Sequence, residues 1–212
     1  MFAIVESGSI TSMPNGNKGV EINGVKHPAS IFSLWSESER NAIGVYTIEI
    51  DETNRKDEEY YINTDITYAY DSSANKVKGT YGTATAKAIA DTKWTQAQID
   101  DPSLVGQAPD GADTNTVRIE GLKTRLIRTV KKQAAGILQD TDWYITRKAD
   151  AGTAVPSSIT THRAAVRTKA AEQETAITNA ADTPALETLY TYTEQEDKSI
   201  TRPLGELPRL ES

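Results

Sequence analysis

The chain has 212 residues, a net charge of −7 and no cysteine. The missing thiols exclude disulfides, thiolate catalysis and cysteine-based zinc sites, and the acidic balance, with a pI near 5.0, argues against a global attraction to nucleic acid. A hydrophobic fraction of 37% and a mean hydropathy of −0.52 leave a modest core for one or two small domains, in a protein expected to finish its burial against neighbours.

The first segment, Met1-Phe2-Ala3-Ile4-Val5-Glu6, has neither a basic leader nor a long apolar run, so no signal peptide is expected. No stretch reaches the roughly 18 apolar residues of a membrane span. Residues 1–85 are expected to form a β-rich docking domain. Phe2–Val5 is its first strand, and Met13-Pro14-Asn15-Gly16-Asn17 is a turn cluster. Val20, Ile22 and Val25 flank Asn23-Gly24, a hairpin signal. Ser36 and Glu39 have the spacing of a capping box, opening a short helix that stops at Gly44. Val45–Ile50, Tyr60–Thr64, Thr67–Tyr70 and Lys76–Tyr81 continue as strands.

Residues 86–116, rich in Ala, Asp, Gly and Thr, predict an exposed linker with a short helix near Trp94–Ile99. Residues 117–181 predict an antiparallel αα-hairpin. Ile119, Leu122, Leu126, Val130, Ala134 and Ile137 recur at three- and four-residue steps, one apolar stripe of a helix. Its other face is basic, with Arg118, Lys123, Arg125, Arg128, Lys131 and Lys132. A loop from Thr141 to Pro156 then forms the elbow. A second helix follows, with Ile159, Val166, Ala170 and Ile177 on one face. Leu126, Val130, Val166 and Ile177 are expected in the packing seam, with Trp143 as the plug that closes the hairpin and Tyr144 beside it. Residues 182–212 predict a C-terminal arm: Thr183-Pro184 reads as an N-cap with Pro at the first helical position, and Arg202–Arg209, with two prolines, reads as an extended segment that binds a neighbour. The fold class is α+β.

No constellation for catalysis, cofactor or metal emerges. The acidic runs Asp51-Glu52, Asp57-Glu58-Glu59 and Asp100-Asp101 lack the order of a calcium loop and read as solvated loop charge. The glycines near Gly79 and Gly82 lack the Gly-Lys-Ser/Thr of a phosphate cradle. His27 and His162 have no supporting motif, and His27 before Pro28 reads as a turn residue. The basic helix face lacks interleaved aromatics and reads as solvated or as facing an acidic partner.

The stretch 131–177 resembles small tail-fibre-assembly or tail-assembly-chaperone proteins of tailed bacteriophages. The resemblance rests on Thr141-Asp142-Trp143-Tyr144, Arg147-Lys148, Val155-Pro156, His162-Arg163 and Arg167, with a looser likeness in Lys26-His27-Pro28-Ala29-Ser30-Ile31-Phe32 and Gly44-Val45-Tyr46. It implies a non-enzymatic structural protein of a phage tail, in the baseplate or at a fibre attachment, made in the host cytoplasm and carried in the virion. Its partners would be other tail proteins, in multiple copies, with no membrane, nucleic acid or cofactor. The alternative is a fibre-assembly chaperone absent from the finished particle. An enzyme acting on cell-surface polymer is the third class.

Overall fold

A computed structural model describes residues 1–210. The chain divides into two compact units, one from Met1 to Thr85 and one from Ala86 onward. It is α+β, with a sheet in the first unit and the long helices in the second.

The first unit contains β1 (Phe2–Glu6), β2 (Ser9–Ser12), β3 (Val20–Ile22), β4 (Val25–His27), α1 (Ile31–Leu34), α2 (Glu37–Ala42), β5 (Val45–Asp51), β6 (Tyr61–Ile62), β7 (Ile66–Asp71) and β8 (Lys76–Tyr81). Five strands form a sheet in the order β2-β1-β5-β8-β7. All its pairings are antiparallel except β5 with β8. Alternation along each strand gives the sheet two apolar faces. Ala3, Val5, Tyr46, Ile48 and Val77 lie in one buried cluster, joined by Ile10, Tyr68 and Tyr70. The alternate residues of the same strands face the other way: Ile4 and Val45 pack with Ile22, Ile31 and Phe32. The β3–β4 hairpin and α1 therefore cover the second face. The edge strands β2 and β7 approach each other, so the sheet curls around the first.

Local chemistry explains the connections. Asn23 and Gly24 both have positive φ, 48° and 78°, the conformation a type I′ hairpin needs. The capping box forms in full, the Ser36 amide donating to Glu39 Oε2 at 2.8 Å and the Glu39 amide to Ser36 Oγ at 3.3 Å. Gly44 follows α2 with φ 83° and its amide donates to the Asn41 carbonyl; a Cβ here would strike the Val5 carbonyl.

After β9 (Thr85–Ala86), the second unit contains β10 (Thr92–Lys93), α3 (Gln96–Ile99), a 3-10 turn (Pro102–Leu104), β11 (Val117–Ile119), α4 (Leu122–Gln139), α5 (Asp142–Ala151), α6 (Ser157–Asn179), α7 (Thr183–Tyr190), β12 (Thr193–Glu194) and β13 (Ile200–Thr201). Four expectations are corrected here. Residues 86–116 are not a bare linker: β10 pairs with β11, and Trp94 is 5% exposed beneath the Arg118 guanidinium, 5.0 Å from its ring centroid. Ile119 is exposed on β11 rather than part of the helical stripe. The helix starts at Leu122 because Gly121 takes an extended conformation, with its amide on Asp91 Oδ1 at 2.7 Å. The elbow is not a loop: residues 142–151 form α5, which buries no residue and so carries no apolar periodicity to read. Gly152, left-handed at φ 69°, ends it. Finally, the cap of α7 is Asp182, whose carboxylate accepts from the Ala185 amide; Thr183 and Pro184 lie inside the helix.

The long helices α4 and α6 run antiparallel. Lys123 near the start of α4 donates to the Thr178 carbonyl near the end of α6 at 2.8 Å, while Leu138 near the end of α4 meets Arg163. Leu122, Leu126, Val130 and Ala134 are buried on α4, and Ile159, Val166, Ala170 and Ile177 on α6.

Candidate functional site

The α4–α5 junction is built by one arginine. Arg163 is buried on α6 and reaches back to the helix turn. Its Nη1 donates to the Leu138 carbonyl at 2.7 Å and to Thr141 Oγ1 at 2.6 Å, and its Nη2 donates to Asp142 Oδ1 at 2.8 Å. The Thr141 hydroxyl donates in turn to the Leu138 carbonyl at 3.0 Å. The planar guanidinium fork thus bonds a helix-end carbonyl and ties down Asp142, the first residue of the next helix, with a charge-assisted bond. Thr141 leaves helical geometry at φ −115°, ψ 5°, and α5 departs from the line of α4.

That departure exposes the elbow aromatics. Trp143 is 52% exposed, which overturns its expected role as the plug. The physical reason is its place in the first turn of α5, a helix with no buried face; Arg163 and Thr141 close the corner instead. Trp143 packs on Tyr144, ring centroids 4.1 Å apart, with the Arg147 guanidinium 4.6 Å from the Trp143 centroid and 5.4 Å from that of Tyr144. Leu126, Val130, Val166 and Ile177 are buried in the second unit, apart from this surface cluster.

Beside the cluster lies an open groove of about 1110 Å³. One wall is the end of α4 and the elbow, with Ile137, Asp140, Trp143 and Tyr144; the floor includes Ile159, His162 and Gln173 of α6; the far wall is the C-terminal segment, with Tyr192, Arg202, Glu206, Leu207 and Arg209. The far wall overturns the expectation of a free arm. Leu204 is buried, its amide donates to the Leu189 carbonyl at 3.0 Å, and Gln173 Nε2 donates to the Gly205 carbonyl at 3.0 Å. Arg202 lies over Tyr190 and Tyr192, 5.3 and 5.1 Å from their centroids, and pairs with Glu206 at 2.8 Å. The Tyr192 hydroxyl donates to Glu206 Oε1 at 2.6 Å; that bond, foremost, raises the Tyr192 pKa above its ordinary value. Residues 202–207 therefore complete their own unit before offering anything to a neighbour.

The basic face of α4 is largely engaged within the chain. Arg128 pairs with Glu120, Lys131 with Glu174 at 3.4 Å, and Lys123 bonds the Thr178 carbonyl. Among the described residues no group of three or more His, Asp or Glu is arranged to hold a metal ion, and no helix is long and apolar enough to cross a membrane. The groove and the buried Arg163 are the features that sequence reading missed. Arg163 had only its place in the elbow resemblance to flag it, and nothing in spacing showed that the tail returns to α6. No family profile, curated protein or solved structure matches the chain.

Proposed function

We propose that the chain is a structural component of a bacteriophage tail, a baseplate or fibre-attachment protein that acts through protein–protein contacts. The observation that carries this reading is the Trp143–Tyr144–Arg147 stack, with Trp143 exposed and both aromatics lining an open groove, in the segment that resembles tail-assembly proteins. Trp, Tyr and Arg are the residues that dominate interface energetics when a partner desolvates them. Holding them in a fixed stack lowers the entropy lost on binding. Repeated copies in a particle would link many such contacts, so that each gains effective concentration from the others.

The second reading is a fibre-assembly chaperone that uses the same surface and leaves before the particle is complete. A free C-terminal arm would have separated the two, because only a permanent component needs a clasp. The tail is part of the groove wall, so its deletion would damage the unit under either reading. Particle content separates them instead: quantitative mass spectrometry of purified phage particles against the lysate finds a permanent component in both and a chaperone in the lysate alone.

A further inference from the structure

We propose that the groove of the second unit binds an extended polypeptide segment of a partner protein, with an apolar side chain seated against Ile137 and Ile159 and its backbone held by His162 and Gln173. This deepens the tail-protein reading and rests on it for the partner's class. The first observation is the polar floor. His162 is 8% exposed and Gln173 2%, and both line the groove. The imidazole has no hydrogen-bond partner among the described residues. Gln173 uses one amide hydrogen on the Gly205 carbonyl, and its side-chain oxygen receives no donor among them. Neither is among the described side chains sealed from solvent without a partner; their polar atoms meet the groove, where an incoming ligand can bond them in place of water. The two lie eleven positions apart on α6, about 16 Å along the helix, so an extended backbone of about five residues, with its N–H and C=O groups, spans from one to the other.

The second observation is the charge on the walls. Arg202 and Glu206 neutralise each other, but Asp140 on the elbow wall and Arg209 on the tail wall have no ion-pair partner among the described residues, and both border the groove. One free charge of each sign on opposing walls complements a segment carrying both signs, a pattern that orients a partner more than it tightens it. A neutral glycan can hydrogen-bond to both side chains but gains nothing from their opposite signs.

The test is to pan the purified full chain against a displayed random-peptide library, synthesise the consensus peptide, and titrate it calorimetrically into wild type and variants. The same preparations go onto a glycan array. Enriched peptides should share an apolar residue flanked by charge. Binding should weaken about tenfold or more in both Arg209→Glu, an exposed position, and His162→Leu, and stay unchanged in Lys93→Ala, an exposed position on β10 that does not line the groove. No enrichment, equal binding by Arg209→Glu and wild type, or glycan binding abolished by the same variants would overturn the proposal. Its failure is separable from that of the tail reading: a chain absent from particles that still binds the peptide through these residues keeps the groove and loses the tail.

Discussion

Two side chains of the elbow carry opposite burdens. Arg163 is buried and serves three acceptors across two helices and their junction, so Arg163→Ala takes the donor from the buried Thr141 hydroxyl oxygen, while the Leu138 carbonyl keeps the Thr141 amide and hydroxyl. Asp142, the acid it releases, is more than half exposed, so the loss is that of buried hydrogen bonds to a charged donor, about 1.5–3 kcal/mol. Trp143, half in solvent, should cost about 1 kcal/mol or less on truncation to Ala. Urea unfolding of the two variants checks the order; a larger loss in Trp143→Ala would return the ring to the core. A third residue sets the response to alkali. Tyr46 is buried, and burial pushes its pKa up to about 12, with the hydrogen bond to Tyr70 second. Its hydroxyl and that of Tyr70 both approach Asn75 Oδ1 at 3.0 Å. The unfolded chain ionises this phenol near its ordinary value of about 10 while the folded chain does not. Stability is therefore full below that value and falls as pH rises toward 12. Melting temperatures from neutral pH into the alkaline range should show this decline, and Tyr46→Phe should flatten it; a variant that declines as steeply as wild type would assign the loss to other groups.

At the scale of elements, the sequence was most legible where one residue type is demanded by geometry. Asn23-Gly24 marks a turn that needs two positive φ angles, and Ser36 with Glu39 marks a helix start through two reciprocal bonds. The apolar stripes of α4 and α6 were legible because three- and four-residue spacing has few alternatives. Ile177→Ala in that seam, where the side chain is wholly buried, should cost about 2–5 kcal/mol by the same urea measurement. What was illegible depends on chain returning from afar. The parallel pairing of β5 with β8 leaves no local trace, because strand alternation fixes faces and not neighbours. The pairing of β10 with β11 ordered a stretch whose composition is that of a loop. Gly121 is the one residue there with a reason visible only in three dimensions: a Cβ would overlap the Ala90 carbonyl. Gly121→Ala should therefore lower the melting temperature, beyond the cost alanine carries at any helix N-cap. An unchanged melting temperature would mean that the Ala90 turn gives way freely.

For the whole molecule, composition foretold modest burial, and each unit does carry a small core. It could not foretell which surface would be left for partners. Trp143 was expected inside and stands outside; the tail was expected outside and forms a wall of the groove. Both reversals follow from Arg163 and Gln173, buried polar residues that periodicity arguments pass over because they count apolar positions. The proposed contact surface therefore lies at the corner of α4, α5 and the C-terminal segment. The most direct test is quantitative mass spectrometry of gradient-purified particles after a high-salt wash, with the lysate as reference. The account predicts this chain at a fixed ratio to other tail proteins, retained through the wash. Abundance in the lysate with absence from washed particles would contradict it and leave the chaperone reading in its place.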